Sequence, residues 1–308
     1  MEITTAVATQ VFIMAIYILI GFIMTKAGVL SKSGTKQLTD ILLMLVTPCV
    51  IIKAFQDNLH GDVMGKLILA FAVSIGFHAV AIPVVHLLHL RSKSKTPVID
   101  RFCAVYSNCG FMGIPLLESA LGSVGVLFGS AYLAIFNVIV WTHGYGMFSR
   151  NSAQKTSWAK IVLNPGVISI VIAIILLIFK IHLPDIPSRV IGGFAGLNTP
   201  VAMLLLGVYL GEVNLLKALK NAAVYIVCIE RLLLLPVLAL LSFRLLGIDV
   251  QISTAIVLSA GCPCAAIAAI FAAQFNRDTG YASAVVAIST VLSIGTLPLI
   301  SYLSTLIL

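Results

Sequence analysis

Charge is what this sequence has least of. Of its 308 residues only 10% are charged against 60% hydrophobic, and the mean hydropathy is +1.11. A soluble domain carries roughly 25% charged residues. Charge this scarce cannot cover a water-facing surface, which excludes a soluble globular protein and makes lipid the solvent for most of the chain. Acidic residues are scarcer still, 11 against 19 Lys and Arg. The resulting net charge of +8 does not describe a nucleic-acid-binding protein, because the cations sit in short loops between apolar runs and form no basic face.

Chemistry-bearing constellations are missing as well. The six cysteines (Cys49, Cys103, Cys109, Cys228, Cys262, Cys264) fall inside apolar segments, and none has the CxxC spacing of a metal or redox site. Cys262 and Cys264 flank Pro263 and read as small packing residues. No HExxH helix, paired-aspartate motif or Ser/His motif is present. An intramembrane enzyme therefore has no evident machinery, and neither metal nor resident cofactor is expected. The first apolar run, Val7 to Met24, has no basic stretch before it and is long enough to span a bilayer, so it reads as a membrane helix rather than a cleaved signal.

What is present is a succession of apolar runs. A membrane helix needs about 20 apolar residues, and ten segments qualify: 7–25, 38–55, 66–90, 98–118, 124–148, 161–181, 190–210, 219–246, 252–274 and 281–307. The fold class is an all-α integral membrane protein of ten transmembrane helices. With the N-terminus outside, 13 of the 19 cations fall in inside loops: Lys26, Lys32, Lys36, Arg91, Lys93, Lys95, Arg101, Arg150, Lys155, Lys160, Lys217, Lys220 and Arg277. Four (Lys66, Lys180, Arg189, Arg244) fall outside, and Lys53 and Arg231 lie within spans. This positive-inside bias predicts a plasma-membrane protein with both termini extracellular.

The two halves resemble each other. Thr47-Pro48 in helix 2 matches Thr199-Pro200 in helix 7, Pro83 in helix 3 matches Pro236 in helix 8, and Pro115 in helix 4 matches Pro263 in helix 9. Five helices per half is an odd number, so the second half enters the membrane inverted. Inverted repeats are a common basis of secondary transport, because two such halves can exchange conformations. The division predicted is 1–148, a polar cytoplasmic linker at 149–160, and 161–308.

Helix 4 carries Asn108, Gly110, Gly113 and Pro115 in the middle of a span, and helix 9 carries Gly261, Cys262 and Pro263 at the matching place. Proline removes a backbone donor and clashes with the preceding turn, and glycine weakens a helix interior. Both helices should therefore break near the midplane. Broken backbone persists there only against protein or a watery cavity. Two half-helix N-termini would then face one centre with free N–H groups and partial positive charge, which suits a carboxylate. The Asn108 amide would add a donor. These seven residues are the predicted substrate site. Arg231 and Glu230 in helix 8, Glu118 after the helix 4 break, His78 in helix 3 and Lys53 near the end of helix 2 are the ionisable candidates for gating or coupling to a proton. A sodium ion held by broken-helix carbonyls is the other coupling candidate.

The run Asn108-Cys-Gly-Phe-Met-Gly-Ile-Pro115-Leu, Arg231 followed by Leu-Leu-Leu-Leu-Pro236, and the C-terminal stretch from Asn276-Arg-Asp-Thr-Gly280 through Ala284 and Ser289-Thr290 to Thr296-Leu-Pro298 together resemble the auxin efflux carrier family. That family includes bacterial permeases and the plant PIN transporters, and the resemblance covers essentially the whole chain. It implies two inverted five-helix repeats, with helices 1, 2, 6 and 7 as a scaffold and helices 3–5 and 8–10 as a transport domain. Helices 4 and 9 would cross at their breaks, substrate would bind at the crossing, and the domain would move like an elevator. It further implies a homodimer in the lipid bilayer and a small organic anion as substrate, such as malate or an auxin-like acid. Plant members resemble one another in a second asparagine near the helix 9 break. Here that stretch is Gly261-Cys262-Pro263-Cys264, which weighs against auxin itself but leaves the dipole argument standing. The rival readings are an anion channel, a symporter of another small metabolite, and a sensor, for which the sequence offers no output domain.

Overall fold

A computed structural model describes residues 2–59, 63–92, 94–149, 163–213, 219 and 221–308. Most of the predicted linker, from 150 on, and the inside cations Lys93, Arg150, Lys155, Lys160, Lys217 and Lys220 lie outside the described residues.

Among the described residues there are helices and no strand. Helix α1 is Glu2–Lys26; α2, Lys32–Ile41, continues through a widened turn, Leu42–Val46, into α3, Thr47–Gln56; and α4 is Val63–Leu88. Then come α5, Pro97–Val105, and, after an interruption and a second wide turn at Cys109–Gly113, α6, Ile114–Ile139. A third wide turn, Val140–Gly144, leads into α7, Tyr145–Ser149. The second half comprises α8, Pro165–Ile178; α9, Asp185–Ala195; α10, Asn198–Gly211; α11, Ala222–Ile229; a wide turn at Glu230–Leu234; α12, Leu235–Leu245; α13, Val250–Gly261; α14, Ile267–Gln274; and α15, Thr279–Ile307.

Among the described residues seven helical runs are long and apolar enough to cross a membrane: Ile3–Lys26, Ser33–Gln56, Val63–Leu88, Cys109–Ser149, Asp185–Gly211, Ala222–Leu245 and Thr279–Ile307. Pro165–Ile178 and Val250–Gly261 are shorter apolar helices. The run Cys109–Ser149 has 41 residues. Straight, it would extend about 60 Å, twice the hydrocarbon thickness. It is not straight: Gly122 turns the chain with φ 64° and ψ −152°, a conformation open to glycine and strained for other residues.

Three of the four wide turns share a cause. Each ends two residues before a proline: Val46 before Pro48, Gly113 before Pro115, Leu234 before Pro236. A proline ring collides with the carbonyl four residues back and supplies no N–H. Widening the turn moves that carbonyl away, so the helix continues where an ordinary α-turn would kink.

Polar contacts gather at opposite ends of the bundle. At one end Lys66 Nζ meets Asp249 Oδ2 at 2.8 Å. There too Gln56 donates to Ile181 O and accepts from Leu183 N, both at 3.0 Å. At the other end His89 Nε2 meets Glu230 Oε2 at 2.9 Å, and the Tyr281 hydroxyl donates to Asp100 at 2.7 Å. Helix α1 lies along α10 at backbone contact: a Cβ on Gly21 would overlap Leu204 O, and one on Gly207 would overlap Ile18 O. Small residues permit this approach, the usual way membrane helices pack without a hydrophobic driving force.

Candidate functional site

The centre of the molecule is built from two interruptions. Helix α5 ends at Val105, and the chain leaves helical geometry over Tyr106–Asn108, extended at Tyr106, before the next turn. Helix α13 ends at Gly261, and the chain does not resume as α14 until Ile267. The two gaps lie against each other. Asn108 N donates to Pro263 O at 2.7 Å and Ala265 N to Tyr106 O at 2.9 Å, which pairs Ser107 with Cys264 in one antiparallel bridge. Cys264 N is taken by Ser289 Oγ at 3.1 Å. The extended segments thus satisfy each other, as unwound backbone inside a bundle must.

Arg231 joins the rear of both interruptions. It is fully buried. Its Nη1 donates to Ala104 O at 3.2 Å and Val105 O at 2.6 Å, and its Nη2 donates to Ala260 O. These are the last carbonyls of α5 and α13, the groups that a helix leaves unpaired at its C-terminus. Each C-terminus carries roughly half a negative charge, so two of them balance one guanidinium. Glu230 does not pair with Arg231; its carboxylate turns to His89.

The front of the interruptions faces a cavity of about 1450 Å³. Its deep wall holds Asn108, Gly110 and Phe111 at the start of one half-helix and Ala265, Ala266 and Ile267 at the start of the other. The sides are Thr39, Thr47, Asn137, Asn164 and Tyr209 among apolar residues such as Phe136, Trp141 and Ile270, and the rim carries Glu212, Asn221 and Asp278. Asn108 is only 6% exposed, and its Nδ2 has no hydrogen-bond partner among the described residues. A buried amide donor without an acceptor thus lies just behind the cavity wall, at the front of two half-helix N-termini.

Among the predicted site residues, Asn108 and Gly110 border the cavity. Gly113, Pro115, Gly261, Cys262 and Pro263 are absent from its wall. A Cβ on Gly113 would face Cys262 Sγ at 3.5 Å, and one on Gly261 would face Leu297 and Ile300 at 3.6 Å, so both glycines look into protein rather than into the cavity. The reason lies in the length of the second gap: α14 begins four residues after Pro263, and with the N–H groups of Cys264 and Ala265 taken by Ser289 Oγ and Tyr106 O, those that open the half-helix belong to Ala266 and Ile267 rather than to the proline motif itself. His78 is fully buried, its Nδ1 2.8 Å from Ser74 O and its Nε2 unpaired, with its ring 5.0 Å from that of Tyr132. Tyr132 in turn reaches Ser107 at 3.4 Å. Glu118 is exposed, one turn before Gly122, and does not border the cavity. Lys53 pairs with Asp57 at 2.7 Å on an exposed helix end.

Sequence reasoning missed Asn137, Asn164 and His89. The two asparagines come together only because Asn164 caps α8 beside α6 (Asn164 Nδ2 to Asn137 Oδ1, 3.5 Å). His89 falls at the end of the apolar run 66–90, one residue past α4, where a histidine reads as an interfacial residue.

Comparison with known proteins agrees with this architecture. The chain is similar to an uncharacterized transporter of Methanothermobacter thermautotrophicus, 24% identical over 295 residues, which cover 92% of this chain and 94% of the relative. The model of a family described as membrane transport protein matches twice, over residues 5–157 and 150–301. With matches that together run through nearly its whole length, the chain belongs to that family, the auxin efflux carrier-like membrane transport proteins.

Proposed function

We propose that this protein is a secondary carrier of a small organic anion across the plasma membrane. Its ten spans form two inverted five-helix repeats, whose fourth and ninth helices break and cross at the paired segments around Ser107 and Cys264. The two successive family matches, one per half, support the repeat. So do polar contacts sorted to opposite bundle ends, Lys66–Asp249 and Gln56–Ile181 at one and Asp100–Tyr281 at the other, each joining helix ends that alternate threading would bring to the same face. In this reading α1–α3 and α8–α10 are the scaffold, the remaining helices move as a transport domain, and two chains assemble through their scaffolds.

One observation carries the choice of ligand. The deep wall of the cavity offers two helix N-termini and the unpaired Asn108 amide, while no Lys or Arg borders the cavity among the described residues. Helix N-termini and one amide stabilise a single carboxylate, whereas the Glu212 and Asp278 carboxylates at the rim oppose a second negative charge. Phe111, Phe136, Trp141 and Ile270 give the rest of the substrate an apolar lining. The favoured substrate is therefore a monocarboxylate with an apolar or aromatic body, ahead of malate. The test is uptake by proteoliposomes of a labelled aromatic monocarboxylate and of labelled malate. Saturable uptake of the first, competed weakly by malate, is the expected result. Uptake of malate alone would overturn the substrate class, and flux that never saturates would favour a channel.

A further inference from the structure

We propose that His89 and Glu230 together form a proton-binding site of this protein, and that its occupancy ties anion movement to the pH gradient. The proton site stands on its own geometry; the consequence for transport rests on the carrier reading above.

Glu230 is 8% exposed, and its Oε2 lies 2.9 Å from His89 Nε2; both side chains are at most one-tenth accessible. An ionisable residue within a span is expensive to hold and calls for a partner. Here the partner is titratable near neutral pH, unlike the Arg or Lys that would serve a merely structural tie. His89 Nδ1 is buried and has no hydrogen-bond partner among the described residues. Hydrogen bonding to Glu230 holds the imidazole above its ordinary range against the opposing effect of burial, with Asp100 adding to the rise and Arg101 reducing it. The charged groups facing the pair are thus Asp100 and Arg101 from α5, with Tyr281 from α15 bonded to Asp100.

The site takes up one proton: neutral His89 beside ionised Glu230 becomes imidazolium beside carboxylate. Loaded, the pair is neutral; empty, it leaves a net negative charge in a poorly solvated place. Since the Arg231 charge is already balanced by two half-helix C-termini, the loaded state is the one that a domain can carry through lipid most cheaply. The pair also acts where it matters mechanically. Glu230 opens the wide turn Glu230–Leu234, and the next residue, Arg231, holds both interruptions. The folded-state stabilisation from the loaded pair is full below the ordinary histidine value and is lost as pH rises through the raised one.

The experiment compares the purified full-length protein with His89→Gln and Glu230→Gln. A pH-indicator dye counts protons released on a jump from acid to alkaline pH, and the same preparations are reconstituted for anion uptake with and without an inward proton gradient. His89→Gln is expected to release about one proton fewer, as a single linked site requires. Glu230→Gln should release it at lower pH. Both should keep anion exchange at equal pH but lose the severalfold stimulation by the gradient. Unchanged proton release in His89→Gln would overturn the site, and lost release with the gradient response intact would overturn the coupling. If wild type shows the proton difference but moves no anion, the proton site stands and the carrier reading fails.

Discussion

Replacing Arg231 with methionine should remove most of the folded protein. Methionine fills a similar volume and takes away a buried charge, a change that can be neutral where an ion pair is replaced on both sides. Here only one side can be replaced, because the partners are the main-chain carbonyls of Ala104, Val105 and Ala260. Each buried carbonyl left without a donor costs about 1–3 kcal/mol. Three of them sum to several kcal/mol, a large share of the 5–15 kcal/mol that holds a typical domain. The two half-helix C-termini would also face each other without a counter-charge. Thermal unfolding in detergent, followed by tryptophan fluorescence, is expected to shift down by roughly 10 °C or more at the usual 2–4 °C per kcal/mol, or to show no folded fraction. Arg231→Lys should fall between, since an ammonium keeps the charge but lacks the planar fork that reaches carbonyls on two helices. A methionine variant melting with wild type would show that the carbonyls have other donors.

Gly207→Ala should be nearly as damaging, for a purely steric reason. The new methyl group would overlap Ile18 O and stand 2.8 Å from Phe22 N and 2.9 Å from Gly21 Cα. All three are backbone, so no rotamer change can make room, and α1 must move away from α10. Gly211 lies one turn further along the same face, 2.8 Å by the same measure from Thr25 Cβ, and holds the two helices together there. Overpacking costs 1–3 kcal/mol where side chains can adjust, and here the upper end, about 3 kcal/mol, is expected. The same unfolding assay reads it. Gly65→Ala, where nothing lies near the new Cβ, is the control and should melt with wild type or slightly above it.

Both effects come from features that the sequence shows only in part. The run Asn108 to Pro115 announces an interruption, because glycines and proline in an apolar span have few other uses, and the Thr-Pro pairs mark where helices 2 and 7 deviate from regular turns. The carbonyl partners of Arg231 are invisible in the same sequence: they lie 126–127 and 29 residues away, and main-chain atoms leave no residue-type signature. Glycine is common in membrane helices, so Gly21 and Gly207 do not stand out until α1 and α10 are set side by side. The site was legible to about the same extent. Asn108 and Gly110 carry their own signal, whereas Ala266 and Ile267, whose contribution is backbone N–H, cannot be told from packing residues. Gly261, Cys262 and Pro263 mark where the second gap opens, and the residues that face the cavity follow where it closes.

An anion held at the front of the two interruptions would meet the Asn108 side chain. Its side-chain amide nitrogen has no partner among the described residues, so Asn108→Ala should remove a ligand contact and leave the fold intact. A hydrogen bond to a charged group contributes about 1.5–3 kcal/mol. Saturable uptake of the monocarboxylate by proteoliposomes should therefore weaken in apparent affinity by roughly 10-fold or more, with the melting temperature unchanged, and Asn108→Asp, which places a like charge against the carboxylate, should abolish it. Wild-type uptake by both variants would contradict the placement of the anion at this crossing.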